Sequence, residues 1–320
     1  MAGSQPVYLT VSALDAGHLT LPEHLFVTQA EPGKRTTVPS LSFLIQRPVS
    51  SAKGLSRLVF DLGVKRDLAG YADAQQYHIT QRQPTISSPD CADSLRAGGL
   101  DSVTDIDNVI ISHVHWDHVG TPSDFTKANF NVGAGTLEVL KNGAGYLYPG
   151  EMFNDDELPA DRTYEFPPTP LAHLDVKPAP PERQTRHSWT KINGFPAALD
   201  FYGDGSLWVI DTPGHLIGHV NLLTRIGDKK WVYLGGDCCH DPRILRGERG
   251  IAMYEDGRGG ARSVHWNTEI ASQTLDSIRS FLQERRLEGI EDGEIEITAV
   301  ISHDKAWAEE NRDKFFPGHL

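Results

Sequence analysis

The hexapeptide at residues 113–118 reads His-Val-His-Trp-Asp-His and constrains this chain more than any other feature. Three imidazoles and a carboxylate fall within six residues, directly after the β-branched apolar run at residues 108–112. Such a run predicts a buried strand, so the cluster is expected on the loop that leaves the strand's carboxyl end. Imidazole nitrogens and carboxylate oxygens are ligands that zinc and similar divalent metals accept. The hexapeptide therefore predicts a metal site in preference to a polar turn that is rich in histidine by chance.

Length and charge limit the classes of partner. The chain has 320 residues, of which 39% are hydrophobic and 23% are charged, which suits a globular protein with a substantial core. Its formal net charge of −13 argues against nucleic acid and against an anionic membrane surface, because phosphate binding needs a basic face. No apolar run reaches the length of a membrane span.

Cysteine usage and the first residues point to an intracellular protein. The three cysteines are Cys91, Cys238 and Cys239, and an odd number with an adjacent pair argues against a disulfide framework. The amino-terminal residues show no basic region followed by an apolar stretch, so no secretory signal is expected. The expected location is the cytoplasm.

Apolar runs along the chain predict alternating strands and helices. The first third is rich in short β-type runs, at residues 7–11, 41–45 and 58–60. Helices are expected at residues 94–100, between Gly135 and Gly143, and at residues 268–286, where apolar positions recur on one face.

In the second half, three apolar runs each lead to a candidate ligand. The runs at residues 207–210, 231–234 and 297–301 are followed by His215, Asp237 and His303. Strands that alternate with helices and end in such groups predict a layered α/β domain with its site at one sheet edge.

A proline-rich stretch interrupts this pattern at about residues 150–196. Proline fixes φ and removes a backbone donor, so irregular structure is expected there. The stretch could be a disordered linker between domains or a long ordered loop over the site. We favour the loop, because the candidate ligands resume beyond it, and we predict a single domain over residues 1–320. Two histidines of the stretch, His173 and His187, are candidates to reach the substrate.

The order of the candidate ligands resembles that of the metallo-β-lactamase superfamily. Phe-Asp-Leu-Gly at residues 60–63 looks like the family's early strand and turn, and Thr-Pro-Gly-His at residues 212–215 matches a later motif. The resemblance covers nearly the whole chain. It implies an α/β fold of the four-layer αββα type, in which two mixed sheets lie between helices.

The resemblance also implies two metal ions, most simply Zn²⁺, with Mn²⁺ or Fe²⁺ as alternatives. Three imidazoles would hold the first ion: His113, His115 and His215. A mixed set would hold the second ion: Asp117, His118 and His303, with Asp237 as the bridge between the ions. Bound zinc can lower the pKa of water to about 7, so a hydroxide that bridges the metals would attack a carbonyl group. Asp117 would then pass a proton to the leaving group.

Within the superfamily, the chain most resembles the quorum-quenching N-acyl homoserine lactonases. In those enzymes a tyrosine three residues after the bridging aspartate helps to polarise the substrate carbonyl, but here that position is His240. An imidazole can also donate a hydrogen bond to an oxyanion, so His240 either keeps the role with altered substrate preference or has lost it. Of the neighbouring residues, we expect His219 to support the site and Cys238 to be a buried, inert thiol.

The resemblance implies ring-opening hydrolysis of a small lactone or lactam. Fungal relatives of this branch include γ-lactamases that open benzoxazolinone-type plant compounds, and this is the first alternative. A thioester hydrolase similar to glyoxalase II is another. A binding protein on an inactivated hydrolase fold is a third, disfavoured because all of the ligand positions are retained.

Overall fold

Strands and short helices alternate along the chain in the computed structural model, which describes residues 5–49, 54–169 and 177–320. The strands are β1 (Thr10–Pro22), β2 (Arg35–Val49), β3 (Gly54–Phe60), β4 (Asn108–Ile111), β5 (Asn129–Val132), β6 (Thr163–Glu165), β7 (Thr190–Ile192), β8 (Phe195–Asp200), β9 (Leu207–Asp211), β10 (Val220–Gly227), β11 (Lys230–Leu234), β12 (Tyr254–Glu255), β13 (Ala261–Arg262) and β14 (Glu296–Val300). The helices are α1 (Asp73–Thr80), α2 (Cys91–Ala97), α3 (Trp116–Val119), α4 (Thr136–Asn142), α5 (Pro242–Leu245), α6 (Thr268–Glu284) and α7 (Lys305–Glu310).

Two six-stranded mixed sheets form the centre of the protein. The first has the order β1-β2-β3-β4-β5-β6, antiparallel from β1 to β3 and parallel from β3 to β6. The second has the order β14-β11-β10-β9-β8-β7, in which β14 and β11 are parallel and the other neighbours antiparallel. The strands β12 and β13 form a separate small hairpin.

The alternation of side chains along each strand makes the sheets pack face to face. In β9, Leu207 and Val209 join the core between the sheets, whereas Trp208 and Ile210 face the opposite way into a second core. Successive strand residues point to opposite faces, so a strand that is apolar at every position must be covered on both sides. The inner face packs on the other sheet and the outer face on helices.

Helices cover both outer faces and complete the four layers. The longest helix, α6, buries Ala271, Leu275, Ile278 and Phe281 on one face, and three of these side chains join the core outside the second sheet. Side chains of α1, α2, α3 and α4 lie in the core outside the first sheet. This is the αββα arrangement that the resemblance to the superfamily implies.

The predicted elements are present with shifted ends. The first strand starts at Thr10 and continues to Pro22, well beyond the predicted run. Helix α2 begins three residues earlier than predicted, because the Asp90 side chain accepts a hydrogen bond from the Asp93 backbone N–H and caps it there. Helix α6 ends at Glu284 instead of residue 286.

The proline-rich stretch contains more regular structure than expected. Its strand β6 adds to the edge of the first sheet and β7 to the edge of the second, so the stretch carries the chain from one sheet to the other. His187 stacks on the ring of Phe201, with centroids 5.2 Å apart, and does not line the cavity beside the candidate ligands. Residues 170–176, with the candidate His173, lie outside the described residues.

Within the described ranges, none of the helices combines the length and apolar character that crossing a lipid bilayer requires.

Candidate metal centre

The segments that follow four strands bring the predicted ligands together, and Asp117 and His118 lie on the short helix α3 instead of the expected loop. His113 follows β4 in the first sheet, while His215, Asp237 and His303 follow β9, β11 and β14 in the second. The strands β9, β11 and β14 run in the same direction, since β10 is antiparallel to both β9 and β11 and β14 is parallel to β11. Their carboxyl ends therefore share one edge of the sheet. This is the edge that the sequence predicts for the site.

Three imidazole nitrogens form a compact triangle. His113 Nε2 lies 2.9 Å from His115 Nδ1, His115 Nδ1 lies 2.9 Å from His215 Nε2, and His215 Nε2 lies 3.1 Å from His113 Nε2. In a tetrahedral zinc site with Zn–N bonds of about 2.0–2.1 Å, ligand nitrogens lie about 3.3 Å apart. The triangle is close to that size, so its geometry suits one divalent cation.

A second group of donors lies beside the first and shares Asp237 with it. Asp237 Oδ2 lies 3.3 Å from His118 Nε2 and 3.5 Å from His215 Nε2, and its Oδ1 lies 3.3 Å from His303 Nε2. Asp117 Oδ2 lies 3.5 Å from the same nitrogen of His303. One carboxylate thus contacts both groups, as a bridge between two cations would.

Several of these buried atoms have no hydrogen-bond partner among the described residues. They are His118 Nε2, His303 Nε2 and Asp237 Oδ1. An unsatisfied buried polar group costs about 1–3 kcal/mol, and more when it is charged. Atoms that converge on one place and lack partners there are the expected result when a cation is their natural partner. The donor set therefore fits two divalent metal ions.

Burial keeps the first group of histidines neutral. It lowers the pKa of His113, His115 and His215 well below the usual range, and for His113 and His215 nearby imidazoles add to the effect. A neutral imidazole has the lone pair that binding a metal requires. The electrostatics of this group agree with its geometry.

In the second group, neighbouring charges outweigh burial in setting the pKa values of His118 and Asp237. Burial alone would lower the pKa of His118, but the charges of Asp237 and Asp61 outweigh burial and raise it. Burial alone would raise the pKa of Asp237, but His303 and His118 hold it well below its usual range. The carboxylate at this position therefore carries a full negative charge, which a cation would neutralise.

Neighbouring groups orient two of the histidines. His118 Nδ1 lies 2.8 Å from Asp61 Oδ2, and the Asp61 carboxylate also accepts hydrogen bonds from the backbone N–H and hydroxyl of Ser112. His303 Nδ1 lies 2.8 Å from the carbonyl oxygen of Pro39. In the neutral ring that metal binding requires, Nδ1 would donate to these oxygens, and the lone pair would lie on Nε2, toward the site. In the sequence Asp61 is recognisable only as part of a turn.

His219 supports the site as expected, and His265 is a residue that sequence reasoning missed. His219 Nε2 accepts a hydrogen bond from the Asp237 backbone N–H at 3.1 Å. His265 is buried with its Nδ1 3.2 Å from His215 Nδ1. It follows the two-residue strand β13, which no apolar run marks in the sequence, and a hydrogen bond from the Trp266 backbone N–H to the His215 carbonyl oxygen holds its loop there.

His240 faces the same centre, and the two neighbouring thiols do not. His240 Nε2 lies 3.1 Å from Asp237 Oδ2, and its side chain lines the adjoining cavity. Cys238 and Cys239 are buried, unpaired and packed in the core outside the second sheet. This agrees with the expectation of inert thiols.

A cavity of about 460 Å³ opens beside these groups. Its wall includes the aromatic side chains of Phe26, Trp116 and Tyr148, and the Tyr148 ring packs on His115 at 4.5 Å between centroids. Of the described part of the proline-rich stretch, Met152 alone lines this cavity. The expected position of that stretch over the site is therefore not what the described residues show, because its short strands are drawn to the sheet edges.

Comparison with known proteins adds relatives by sequence, although no family model matches the chain. The cytochrome P-450 monooxygenase mpaDE' of Penicillium brevicompactum is 32% identical over 246 residues, which are 74% of this chain and 26% of that protein. The chain thus spans about a quarter of the length of that relative. Gamma-lactamase MBL2 of Gibberella moniliformis is 31% identical over 189 residues, 57% of this chain and 70% of that protein. N-acyl homoserine lactonase AttM of Rhizobium radiobacter is 28% identical over 151 residues, 47% of each chain.

Solved structures share the fold at low sequence identity. A mutant of AiiA from B. thuringiensis with N-decanoyl-L-homoserine bound at its active site aligns with a TM-score of 0.64 and 15% identity, over 99% of this chain and 100% of that one. AidC, a dizinc quorum-quenching lactonase, aligns with a TM-score of 0.55 and 13% identity, over 94% and 89%. The predicted fold class is thereby confirmed. With this fold and a γ-lactamase relative that is 31% identical and covered over 70% of its length, the chain belongs to the metallo-β-lactamase superfamily, together with the fungal γ-lactamases.

Proposed function

We propose that this protein is a two-metal hydrolase that opens the ring of a small lactone or lactam. The observation that best supports this is the convergence of histidine and aspartate side chains beside a cavity of about 460 Å³. Cavities of this size accept a small organic molecule. The names of the relatives, which include a γ-lactamase and a homoserine lactonase, favour cyclic amides and cyclic esters.

The proposed ligands are those of the two groups above. His113, His115 and His215 would hold one ion. Asp117, His118 and His303 would hold the other, and Asp237 would contact both. Zinc is the ion that we propose, because the set is rich in imidazole, although manganese and iron accept the same ligands. Elemental analysis of the purified protein would identify it.

Each residue has a task in the proposed reaction. Divalent cations held here would acidify a water molecule and polarise the substrate carbonyl. Asp117 lines the cavity, so its carboxylate can carry the proton that the water gives up to the leaving atom. His240 can donate a hydrogen bond from Nε2 to the carbonyl oxygen as negative charge develops there. A C–O bond forms at the carbonyl carbon, the ring C–O or C–N bond breaks, and the product is a hydroxy or amino acid.

A cyclic amide or carbamate fused to an aromatic ring is a second candidate substrate. The γ-lactamase relative and the rings of Phe26, Trp116 and Tyr148 on the cavity wall favour it. Flat aromatic substrates can stack on or meet such rings edge to face. We further infer that the chain works as a single hydrolase unit, since the ligands come from both sheets.

A substrate panel on metal-loaded protein tests the proposal. The panel contains acyl homoserine lactones, benzoxazolinone, dihydrocoumarin and a glutathione thioester. From a lactone we expect a ring-opened product that has gained the mass of one water molecule, and from benzoxazolinone 2-aminophenol, because the carbamic acid formed on ring opening loses CO₂. Turnover of the thioester alone would favour a thioester hydrolase, and a protein that binds no metal and turns over no compound would favour a binding protein.

Ligand variants test the role of the centre. His118→Ala and Asp237→Ala should each abolish hydrolysis in a protein that remains folded by circular dichroism. The exposed Asp228→Ala is the matched control and should keep wild-type activity. Full activity in either ligand variant would contradict the two-metal proposal.

A further inference from the structure

Two arginines line the cavity of the candidate metal centre. Arg82 follows α1, and Arg262 lies on β13, so two distant segments contribute a positive charge each to the same wall. Arg82 is 8% exposed, and Arg262 is partly buried. Neither residue belongs to the donor groups described above.

Both guanidinium groups lack a carboxylate partner among the described residues. The Arg82 guanidinium makes one long contact, from Nη1 to the carbonyl oxygen of Gln81 at 3.5 Å. The Nε of Arg262 is buried without a hydrogen-bond partner. Arg47 and Arg243 are paired with Asp204 and Asp241, each at 2.6 Å, whereas Arg57 and Arg183 bond to an amide or carbonyl oxygen. Arg82 and Arg262 differ from all four because they line a cavity, and buried charges are normally paired.

The carboxylates that line the cavity form no ion pair with Arg82 or Arg262 among the described residues, although the charge of Asp117 acts on Arg82. Asp117 and Asp237 face the histidines of the centre. Glu255 is exposed and, in the β12–β13 hairpin, pairs with Ala261, whereas Tyr254 pairs with Arg262. Neighbouring residues of a strand point to opposite faces, so the Glu255 side chain lies on the other face of the hairpin from Arg262.

The two arginines pack on aromatic rings that also line the cavity. Each guanidinium lies over an aromatic ring, Arg82 at 5.7 Å from the centroid of Phe26 and Arg262 at 5.2 Å from that of Tyr254. Such packing holds a guanidinium in place while its N–H donors remain available. His78, on the same wall, has its pKa lowered to about 4 by burial and then by the charges of Arg82 and Arg262, so it is a neutral neighbour.

We propose that the substrate carries a carboxylate group in addition to its ring, and that Arg82 and Arg262 bind this carboxylate while the ring carbonyl faces the metal centre. This inference rests on the proposed ring-opening function. Guanidinium groups bind carboxylates with paired, charge-assisted hydrogen bonds. The substrate class is then a small lactone or lactam acid, in contrast to a neutral acyl lactone.

A matched pair of substrates tests the inference in the holoenzyme. The pair is dihydrocoumarin-6-carboxylate and its methyl ester, which share the ring and differ in charge. We expect the wild-type protein to prefer the acid about tenfold or more in kcat/KM, since hydrogen bonds to charged groups are worth roughly that factor or above. Equal kcat/KM for the two compounds would overturn the inference and leave the proposed function intact.

Substitutions of the two arginines test whether they cause the preference for the acid. Arg82→Met and Arg262→Met should each raise KM for the acid about tenfold and leave KM for the methyl ester within about twofold. Arg82→Lys keeps the charge and should retain part of the preference, which covers the case in which the methionine variant fails to fold. Arg96→Met, at an exposed arginine of α2, is the control and should behave as wild type. An undiminished preference for the acid in both methionine variants would overturn the inference.

An equilibrium measurement separates the two proposals. Binding of 2-naphthoate and of neutral 2-naphthamide is followed by the tryptophan fluorescence of holoenzyme whose metal content is matched across variants. Tight binding of naphthoate that is lost in Arg82→Met and Arg262→Met would support the inference even if no ring were opened. Naphthoate binding that is the same in wild type and both variants would mean that the arginines do not bind the anion.

Discussion

The contact between Asp61 and His118 leads to a prediction that can be worked out from the structure. Asp61 Oδ2 lies 2.8 Å from His118 Nδ1, and Oδ1 accepts a hydrogen bond from the Ser112 N–H at 2.6 Å. The residue has a φ of 59°, in the left-handed region, where asparagine is tolerated as well as aspartate. Asp61→Asn therefore keeps the backbone and the size of the side chain, and it changes one oxygen into an NH₂ group.

The replacement of that one oxygen is expected to weaken metal binding. The asparagine can still accept the Ser112 N–H, but its NH₂ group cannot accept a hydrogen bond from His118 Nδ1. His118 must then lose its partner or move its proton to Nε2, where the proton would occupy the ligand position. A hydrogen bond to a charged group contributes about 1.5–3 kcal/mol. This agrees with the 10- to 100-fold weaker metal binding that loss of such an orienting partner typically causes, about 1.4–2.7 kcal/mol.

Competition with a fluorescent chelator measures the affinity of each ion, and elemental analysis after dialysis counts the ions that remain. We expect one of the two ions to bind about 10- to 100-fold more weakly in Asp61→Asn. Asp228→Asn, at an exposed site, is the matched control. Wild-type affinity for both ions in Asp61→Asn would refute the reasoning and reduce Asp61 to a residue that stabilises its turn.

Three further predictions concern the ions, His240 and the partly buried Asp211. Removing the ions with a chelator should abolish hydrolysis and lower the thermal midpoint, because ligands that bind only the folded state stabilise it; an unchanged midpoint in calorimetry would argue against a resident metal. His240→Ala should lower kcat about 100-fold with unchanged metal content, as loss of one oxyanion donor does; unchanged kcat would exclude that role. Burial raises the pKa of Asp211 from 3.8 to about 6. Between pH 3.8 and pH 6 the folded state therefore holds a proton that the unfolded state lacks. The free energy of unfolding consequently falls as the pH rises through this window. Asp211→Asn should therefore be more stable than wild type by about 1–3 kcal/mol at pH 8 and equal to it near pH 4 in urea unfolding; the same difference at both pH values would contradict this.

The candidate ligands that follow strands were predictable because the apolar run of the strand and the polar side chain after it are both visible within a few residues of sequence. The apolar run of β4 and the histidines after it lie next to each other in the chain, and the same holds for β9 with His215 and β14 with His303. Parallel directions then bring such ends to one edge. The ligand roles of these residues remain a proposal, but their meeting at one place was correctly predicted from the order of the motifs.

The proline-rich stretch shows where local signals were insufficient. Its composition predicts irregular structure, yet Thr163–Glu165 and Thr190–Ile192 form strands. Each of these short segments finds hydrogen-bond partners on an edge strand that the sheet already provides. Pairing with an existing edge overrides weak local propensity, and propensity alone carries no information about which edges are available.

Short-range patterns in the amino-acid sequence were enough to predict the layered α/β architecture, the strand ends and the donor groups near them, because each depends on neighbours within a few residues. The residues around the cavity and behind the ligands were not predictable in this way. Arg82 and Arg262 line the cavity and His265 contacts His215, yet none of the three belongs to a ligand motif. Side chains that packing brings together have no fixed spacing in the sequence. Their shared surroundings, and the substrate charge that we propose they favour, are therefore decided only when the sheets and loops pack together.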